Sequence, residues 1–180
     1  MLGDKVVVLG HGAVGALTAL LLQRGGARVV GIDPLPWRRD TAARMGIEAM
    51  SPADAPGGVA LVVEASGWPD ALADALDLLA HEGTVLVASW YGTKVAARPL
   101  GGAFHRRRLT IRSTQVSTIP AALAGQWTLE RRRAVAADLL SELPLAMVAT
   151  HTFPLAAVAD AFAALDRGKD GLIHAALCYD

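Results

Sequence analysis

The chain has a single cysteine, Cys178, so it can form no internal disulfide and offers no multi-cysteine zinc site. Aromatic residues are scarce, at 5% of 180 positions, which leaves core building to aliphatic side chains. Neither charge sign is in excess: 17 Lys and Arg stand against 17 Asp and Glu, for a net charge of zero. Nucleic-acid binders normally carry a basic surplus, so that class is disfavoured. Long apolar runs are missing as well. Stretches such as Val59 to Val63 are far too short to span a bilayer, so no membrane role is expected. The N-terminus lacks the basic, apolar and cleavage-site succession of a secretory signal. What is present is 53% apolar and 19% charged, a balance that supports a packed core. The expectation is a soluble, cytoplasmic globular chain.

Short β-branched runs alternate with longer helical stretches, and that alternation predicts an α/β fold with a doubly wound parallel sheet between two helical layers. Lys5 to Leu9, Arg28 to Ile32, Val59 to Val63 and Thr84 to Ala88 read as strands buried on both faces. Leu109 to Thr114 reads as a strand near an edge, because Arg112 needs solvent. Leu172 to Leu177 reads as a last strand. Helices are expected at Ala13 to Arg24, apolar nearly all round and therefore buried, and at Trp37 to Met45. Pro69 to Ala80 has Leu72, Ala75, Leu76 and Leu79 on one face. Leu129 to Leu140 has Thr128 as its N-cap. Pro154 to Leu165 has Leu155, Val158, Phe162 and Leu165 on its apolar face.

Gly10-His11-Gly12-Ala13-Val14-Gly15 fits G-x-G-x-x-G, after a predicted strand and opening a predicted helix. Gly10 permits the tight turn, Gly12 lets a pyrophosphate approach the backbone, and Gly15 lets helix and strand pack closely. The helix N-terminus offers N–H groups and a positive dipole end to phosphates. Asp33 ends the second strand eighteen residues after Gly15, where a dinucleotide site wants an acid for the adenosine ribose. A carboxylate about 4 Å from a 2′-phosphate repels it by about 4 kcal/mol per charge pair at an effective dielectric of 20. That favours NAD over NADP. Arg38 and Arg39 keep NADP open, since a nearby arginine can accept a 2′-phosphate; the plainer reading puts them on the exposed face of the second helix.

At this point the chain resembles a family. LGDKVVVLGHGAVG, GIDPLPWRRDTAARMG, LVVEASG, HEGTVLVASWYG and THTFPLAAVADAFAALDRGKDGLI, in that order, resemble the C-terminal half of a medium-chain dehydrogenase/reductase of the zinc-type alcohol dehydrogenase kind. The resemblance implies a Rossmann domain over residues 1–150 and a helix-strand segment over 151–180 that packs on a catalytic domain. It implies that Glu64, Ala65, Ser66 and Gly67 end a strand beside the cofactor. It likewise implies that Ala88, Ser89 and Trp90 lie near the nicotinamide, and Ser113 and Thr114 near its carboxamide. Val95 to Leu100 sits where such proteins carry a strand used in subunit pairing, so a homodimer through that edge is expected.

The family's zinc ligands lie on a GroES-like domain, and no counterpart of it is expected within these residues. His11, His81, His105, His151 and His174 show no short metal-ligand spacing. His11 stands out by position, inside the phosphate loop, and is a candidate contact to the pyrophosphate. No catalytic and no metal-binding residue is therefore assigned. Arg106 to Arg108 and Arg131 to Arg133 read as solvated faces, because consecutive helical residues fan out by about 100°. Three function classes follow. The first is the cofactor half of a nicotinamide-dependent oxidoreductase, completed by a separate catalytic chain and with little activity alone. The second is a non-catalytic dinucleotide-binding module. The third is an S-adenosylmethionine-dependent methyltransferase, which also uses a glycine loop and a ribose acid.

Overall fold

The structure is a computed structural model and describes residues 2–97 and 100–179. The elements in chain order are β1 (Lys5–Leu9), α1 (Ala13–Arg24), β2 (Arg28–Ile32), α2 (Pro36–Arg44), β3 (Glu48–Met50), β4 (Val59–Glu64), α3 (Ala71–Leu78) and β5 (Leu79–Val87). They continue with α4 (Ala103–Arg106), β6 (Thr110–Ser113), α5 (Leu129–Leu140), β7 (His151–Pro154), α6 (Val158–Asp166) and β8 (Ala175–Cys178). Six strands form one sheet in the order β3-β2-β1-β4-β5-β6, all parallel. The order reverses between β1 and β4, the Rossmann pattern with its crevice at the carboxyl ends of those strands.

Period-2 alternation divides β1 between two cores. Val6 and Val8 join Val29, Val63 and the small residues Ala16, Ala19 and Ala42 of α1 and α2. Val7 and Leu9 join Val30, Ile32, Val62 and Val85 against Leu72, Ala75 and Leu76 of α3. Each fully buried valine contributes roughly 1.5–3 kcal/mol over exposure. The continuous β-branched runs are therefore what a sheet covered on both faces requires.

Several boundaries differ from the sequence reading. The third helix ends at Leu78 rather than Ala80, and Leu79 is already strand. Leu79 is buried either way, so helical periodicity could not distinguish the two. The chain turns at Glu82, whose φ is 60°, and its pairing with β4 then resumes at Leu61↔Thr84. α1 is not buried all round: Val14 and Leu21, seven residues apart on one face, are 58% and 43% exposed. α5 forms as predicted, with the Thr128 hydroxyl accepting from the Arg131 N–H, yet it buries none of its residues. The last helix begins at Val158 after a 3₁₀ turn and turns Ala161 and Ala164 inward, leaving Phe162 68% exposed. The small residues permit closer approach than the large ones do. β3 and β7 were not foreseen.

β7 and β8 pair in parallel as a separate two-stranded sheet. Val148, shortly before β7, and Ile173, shortly before β8, pack into the same core as Val6 and Val8. β6 lies at one edge of the large sheet and its four residues are exposed. Val95–Ala97 and Leu100 are not strand, and Arg98 and Pro99 of the expected pairing segment lie outside the described residues. Among the described residues no helix is long and apolar enough to cross a membrane.

Candidate functional site

The glycine turn leaves β1 at Leu9 with Gly10 at φ +87°, a conformation that L side chains rarely adopt. A Cβ on Gly10 would lie 2.5 Å from Ser66 Cα, so this turn is in direct contact with the loop after β4. A Cβ on Gly15 would lie 1.8 Å from the Gly10 carbonyl oxygen, which fixes how closely α1 seats on its own entry turn. Gly12 is the opposite case: a Cβ there meets nothing within 4 Å. Its backbone faces open space at the N-terminus of α1, whose first turn carries no acid to offset the positive end of the helix.

Asp33 follows β2 and is 1% exposed. Its Oδ2 accepts from the His11 backbone N–H at 2.8 Å and its Oδ1 from the Leu35 N–H at 2.9 Å. The Arg38 guanidinium stands 3.7 Å from Oδ2. Arg38 is thus no solvated helix-face residue, and its guanidinium also lies over the Trp37 ring at 5.1 Å. Arg39 turns back to donate to the carbonyls of Asp33 and Pro34, each at 2.9 Å. Both arginines are bound into the turn that presents Asp33.

The His11 side chain is turned into the protein. It is 1% exposed, and its Nε2 occupies the place of a Gly31 side chain, 1.8 Å from where that Cβ would be. Neither ring nitrogen has a hydrogen-bond partner among the described residues. Burial pushes the imidazole below the ordinary histidine range, with Asp33 opposing the shift and Arg38 adding to it.

The loops after β4 and β5 are tied together by Glu64, a fully buried carboxylate at the end of β4. Its Oε1 accepts from the Ser66 N–H at 2.8 Å and the Ser66 hydroxyl at 2.5 Å, and its Oε2 from the Tyr91 hydroxyl at 2.5 Å. The Gly67 N–H donates to the Ser89 hydroxyl at 2.8 Å. Ala88 and Ser89 donate their N–H groups to the Glu64 carbonyl at 2.8 and 3.1 Å. Sequence reasoning placed Glu64 and Tyr91 at strand ends but missed the bond between them and this hub. The available signal was an acid closing a run of buried β-branched residues, where a charge needs polar partners. Trp90 is 91% exposed beside this loop. Ser113 ends β6, and the Thr114 N–H donates to the Val87 carbonyl at 3.0 Å.

Gly10 to Gly15, Asp33, Ala65 to Gly67, Ala88 to Trp90, and Ser113 and Thr114 therefore all follow or close the carboxyl ends of adjacent parallel strands. A cleft of about 460 Å³ opens there, lined in part by Gly10, Ile32, Pro34, Ser66 and Trp68. A larger hollow of about 660 Å³ between α2 and residues 146–150 holds none of the predicted residues. Among the described residues, no group of three or more His, Cys, Asp or Glu is placed to hold a metal ion, and Cys178 is exposed.

The family model for zinc-binding dehydrogenases matches residues 13–129. The chain belongs to this family. It is an alcohol dehydrogenase-like member of the medium-chain dehydrogenases, as the ordered sequence blocks suggested. The D-guloside 3-dehydrogenase of Escherichia coli K12 is 30% identical over 151 residues, a match that covers 77% of this chain and 43% of that protein. The structure of an alcohol dehydrogenase of Escherichia coli CFT073 complexed with cofactor NADH superposes with a TM-score of 0.79 at 19% identity, over 98% of this chain and 52% of the other. A protein of Sinorhizobium meliloti 1021 bound to NADP gives a TM-score of 0.68 at 22% identity, over 88% and 48%. These likenesses establish the fold. The chain spans about half the length of the relatives it matches.

Proposed function

We propose that this chain is the dinucleotide-binding part of a zinc-type alcohol dehydrogenase-like oxidoreductase and that it holds a nicotinamide dinucleotide at the carboxyl ends of β1, β2, β4, β5 and β6. The observation that carries the reading is the pairing of an open Gly12 backbone with a sterically closed Gly10–Gly15 contact, with the Asp33 carboxylate anchored at the end of the next strand. The open backbone suits the pyrophosphate and the positive end of α1 opposes its charge. Asp33 is the ribose acceptor, and its carboxylate repels a 2′-phosphate, which favours NAD over NADP. The 460 Å³ cleft between Pro34 and Ser66 has the size of an adenosine subsite. Glu64 holds the loops 65–67 and 88–91 in register, so that Ser89 and the backbone beside Trp90 orient the nicotinamide end.

When bound, the dinucleotide supplies the hydride acceptor or donor for an alcohol–carbonyl interconversion. The residues of this chain bind and orient it; none of them is assigned to charge on the substrate oxygen, and among the described residues no cluster of His, Cys, Asp or Glu is placed to hold a metal ion. A separate catalytic part is proposed to supply those groups. The exposed Leu155, Phe162, Leu165 and Tyr179 on the C-terminal unit, and the unburied α5, support a surface that such a part covers. The test is a calorimetric or fluorescence titration of the chain with NADH and NADPH. Saturable NADH binding with negligible alcohol turnover is expected; no saturable binding of either nucleotide overturns the reading.

A further inference from the structure

We propose that His11 makes the cofactor choice of this site depend on pH: with a neutral imidazole the site takes the unphosphorylated dinucleotide, and with an imidazolium it also takes the 2′-phosphorylated one. The inference rests on the dinucleotide reading and extends it to a specificity-determining residue.

The geometry sets the imidazole beside the ribose acceptor. Gly31 and Asp33 are two residues apart on extended backbone and so face the same side of the sheet. The His11 ring fills the space over Gly31, and the Asp33 carboxylate is the next group on that face, bonded to the backbone N–H of His11 itself. The charged groups that act on the ring are Asp33 at the end of β2 and Arg38 on α2, while α1 brings a first turn with no acid. Buried histidines normally pair both ring nitrogens or one at least, and this one pairs neither, so its protonation is not pinned by a fixed partner. Arg38, with a side chain 27% exposed, gives the cluster an edge toward solvent.

The charge count decides the behaviour. Asp33, Arg38, Arg39 and neutral His11 sum to +1, and an imidazolium raises that to +2, the charge that matches a 2′-phosphate dianion. A 2′-phosphate adds nearly two negative charges beside Asp33, and those charges favour the imidazolium. The proton comes from solvent and stays on the ring while the phosphorylated ligand is bound. Because burial keeps the imidazole neutral in the ligand-free protein, uptake accompanies binding. NADPH affinity then rises as pH falls, by up to about tenfold per pH unit for one proton taken up. NADH brings no charge to that position, and its affinity stays flat.

The experiment titrates the chain with NADPH and with NADH at pH 8.0, 7.25 and 6.5, a window above the pKa of about 6 of the 2′-phosphate itself. Expected are NADPH binding that tightens several-fold down the series, NADH binding that does not, and loss of the NADPH slope in His11→Asn. Calorimetry at pH 7 in two buffers of different ionisation enthalpy supplies a second readout: proton uptake on binding NADPH and none on binding NADH, with the uptake lost in His11→Asn, which separates the imidazole from the 2′-phosphate's own proton. Parallel pH profiles for the two nucleotides, no proton uptake with NADPH, or an unchanged slope in His11→Asn overturns the inference while leaving dinucleotide binding intact. Failure of both nucleotides to bind at any pH overturns the dinucleotide reading and this inference with it.

Discussion

Two alanine substitutions in one loop should separate folding from binding. Gly12 has φ −71° and ψ −172°, which alanine adopts without strain, and its Cβ would meet nothing. At an N-cap, alanine is worse than glycine by roughly 0.5 kcal/mol, while the smaller entropy of its unfolded chain returns about 0.4–1 kcal/mol. The two terms cancel to within about 0.5 kcal/mol, a Tm change of under about 2 °C for a chain of this size. The added methyl nevertheless stands where a pyrophosphate approaches, so NADH affinity should fall at least about tenfold, or ~1.4 kcal/mol. Gly15 behaves in the reverse way. In the first turn of α1, alanine gains less than the roughly 1 kcal/mol of a helix interior, and its Cβ would sit 1.8 Å from a backbone oxygen that has no rotamer to escape into. α1 must lift by more than about 1 Å, and against a backbone oxygen the overpacking cost lies at the upper end of about 1–3 kcal/mol. The net loss of about 2 kcal/mol should lower Tm by about 4–8 °C. Differential scanning calorimetry and an NADH titration of both variants make the comparison. Gly12→Ala binding NADH like the parent would refute the phosphate approach, and Gly15→Ala at parental Tm would refute the packing argument.

Asp33→Ala should cost about 2–4 kcal/mol in urea unfolding, because it orphans the buried N–H groups of His11 and Leu35 and leaves Arg38 without its carboxylate; a parental unfolding midpoint would contradict the buried arrangement. Tyr91→Phe should cost about 1–3 kcal/mol by the same measurement, since Glu64 Oε2 loses a charge-assisted bond in a fully buried place. Stability should also fall with acid through His11. Its folded pKa lies below the ordinary value of about 6.5, so the unfolded chain binds the extra proton first. That contribution is whole above about pH 6.5 and is lost as pH drops below it, and the Tm of a His11→Leu variant between pH 7 and 5.5 should lack this component.

The alternation of buried β-branched runs with helices was enough to read the sheet and the position of its glycine turn, because both depend on local pattern. Asp33 was legible by its spacing from Gly15. Its bonding was not, since the His11 N–H comes from 22 residues earlier in the chain and is brought to it by the β1–β2 ladder. The His11 side chain read as a candidate pyrophosphate contact, whereas it is buried and fills the space over Gly31, which depends on which face of β2 a glycine occupies. Glu64 was hidden because its partner Tyr91 lies one strand away, 27 residues on. Phe162 and Leu165 sat on an apolar helical face, and period alone cannot say whether such a face or a stripe of alanines is the one turned inward.

The strand order has a consequence for how the molecule can be taken apart. Residues 5–50 contain β1 to β3 and residues 59–113 contain β4 to β6, so each half of the sheet is continuous in sequence. Within the sheet, the halves meet along one ladder, Val6↔Leu61 to Leu9↔Glu64, and the chain passes between them through exposed Gly57 and Gly58. A cut at that dipeptide severs no strand. It would leave two fragments that share one buried seam, the β1–β4 ladder. A ligand gripped by Gly10 to Asp33 on one fragment and by Ala65 to Gly67 on the other would bolt that seam shut, which turns reassembly of the severed protein into a gauge of dinucleotide concentration.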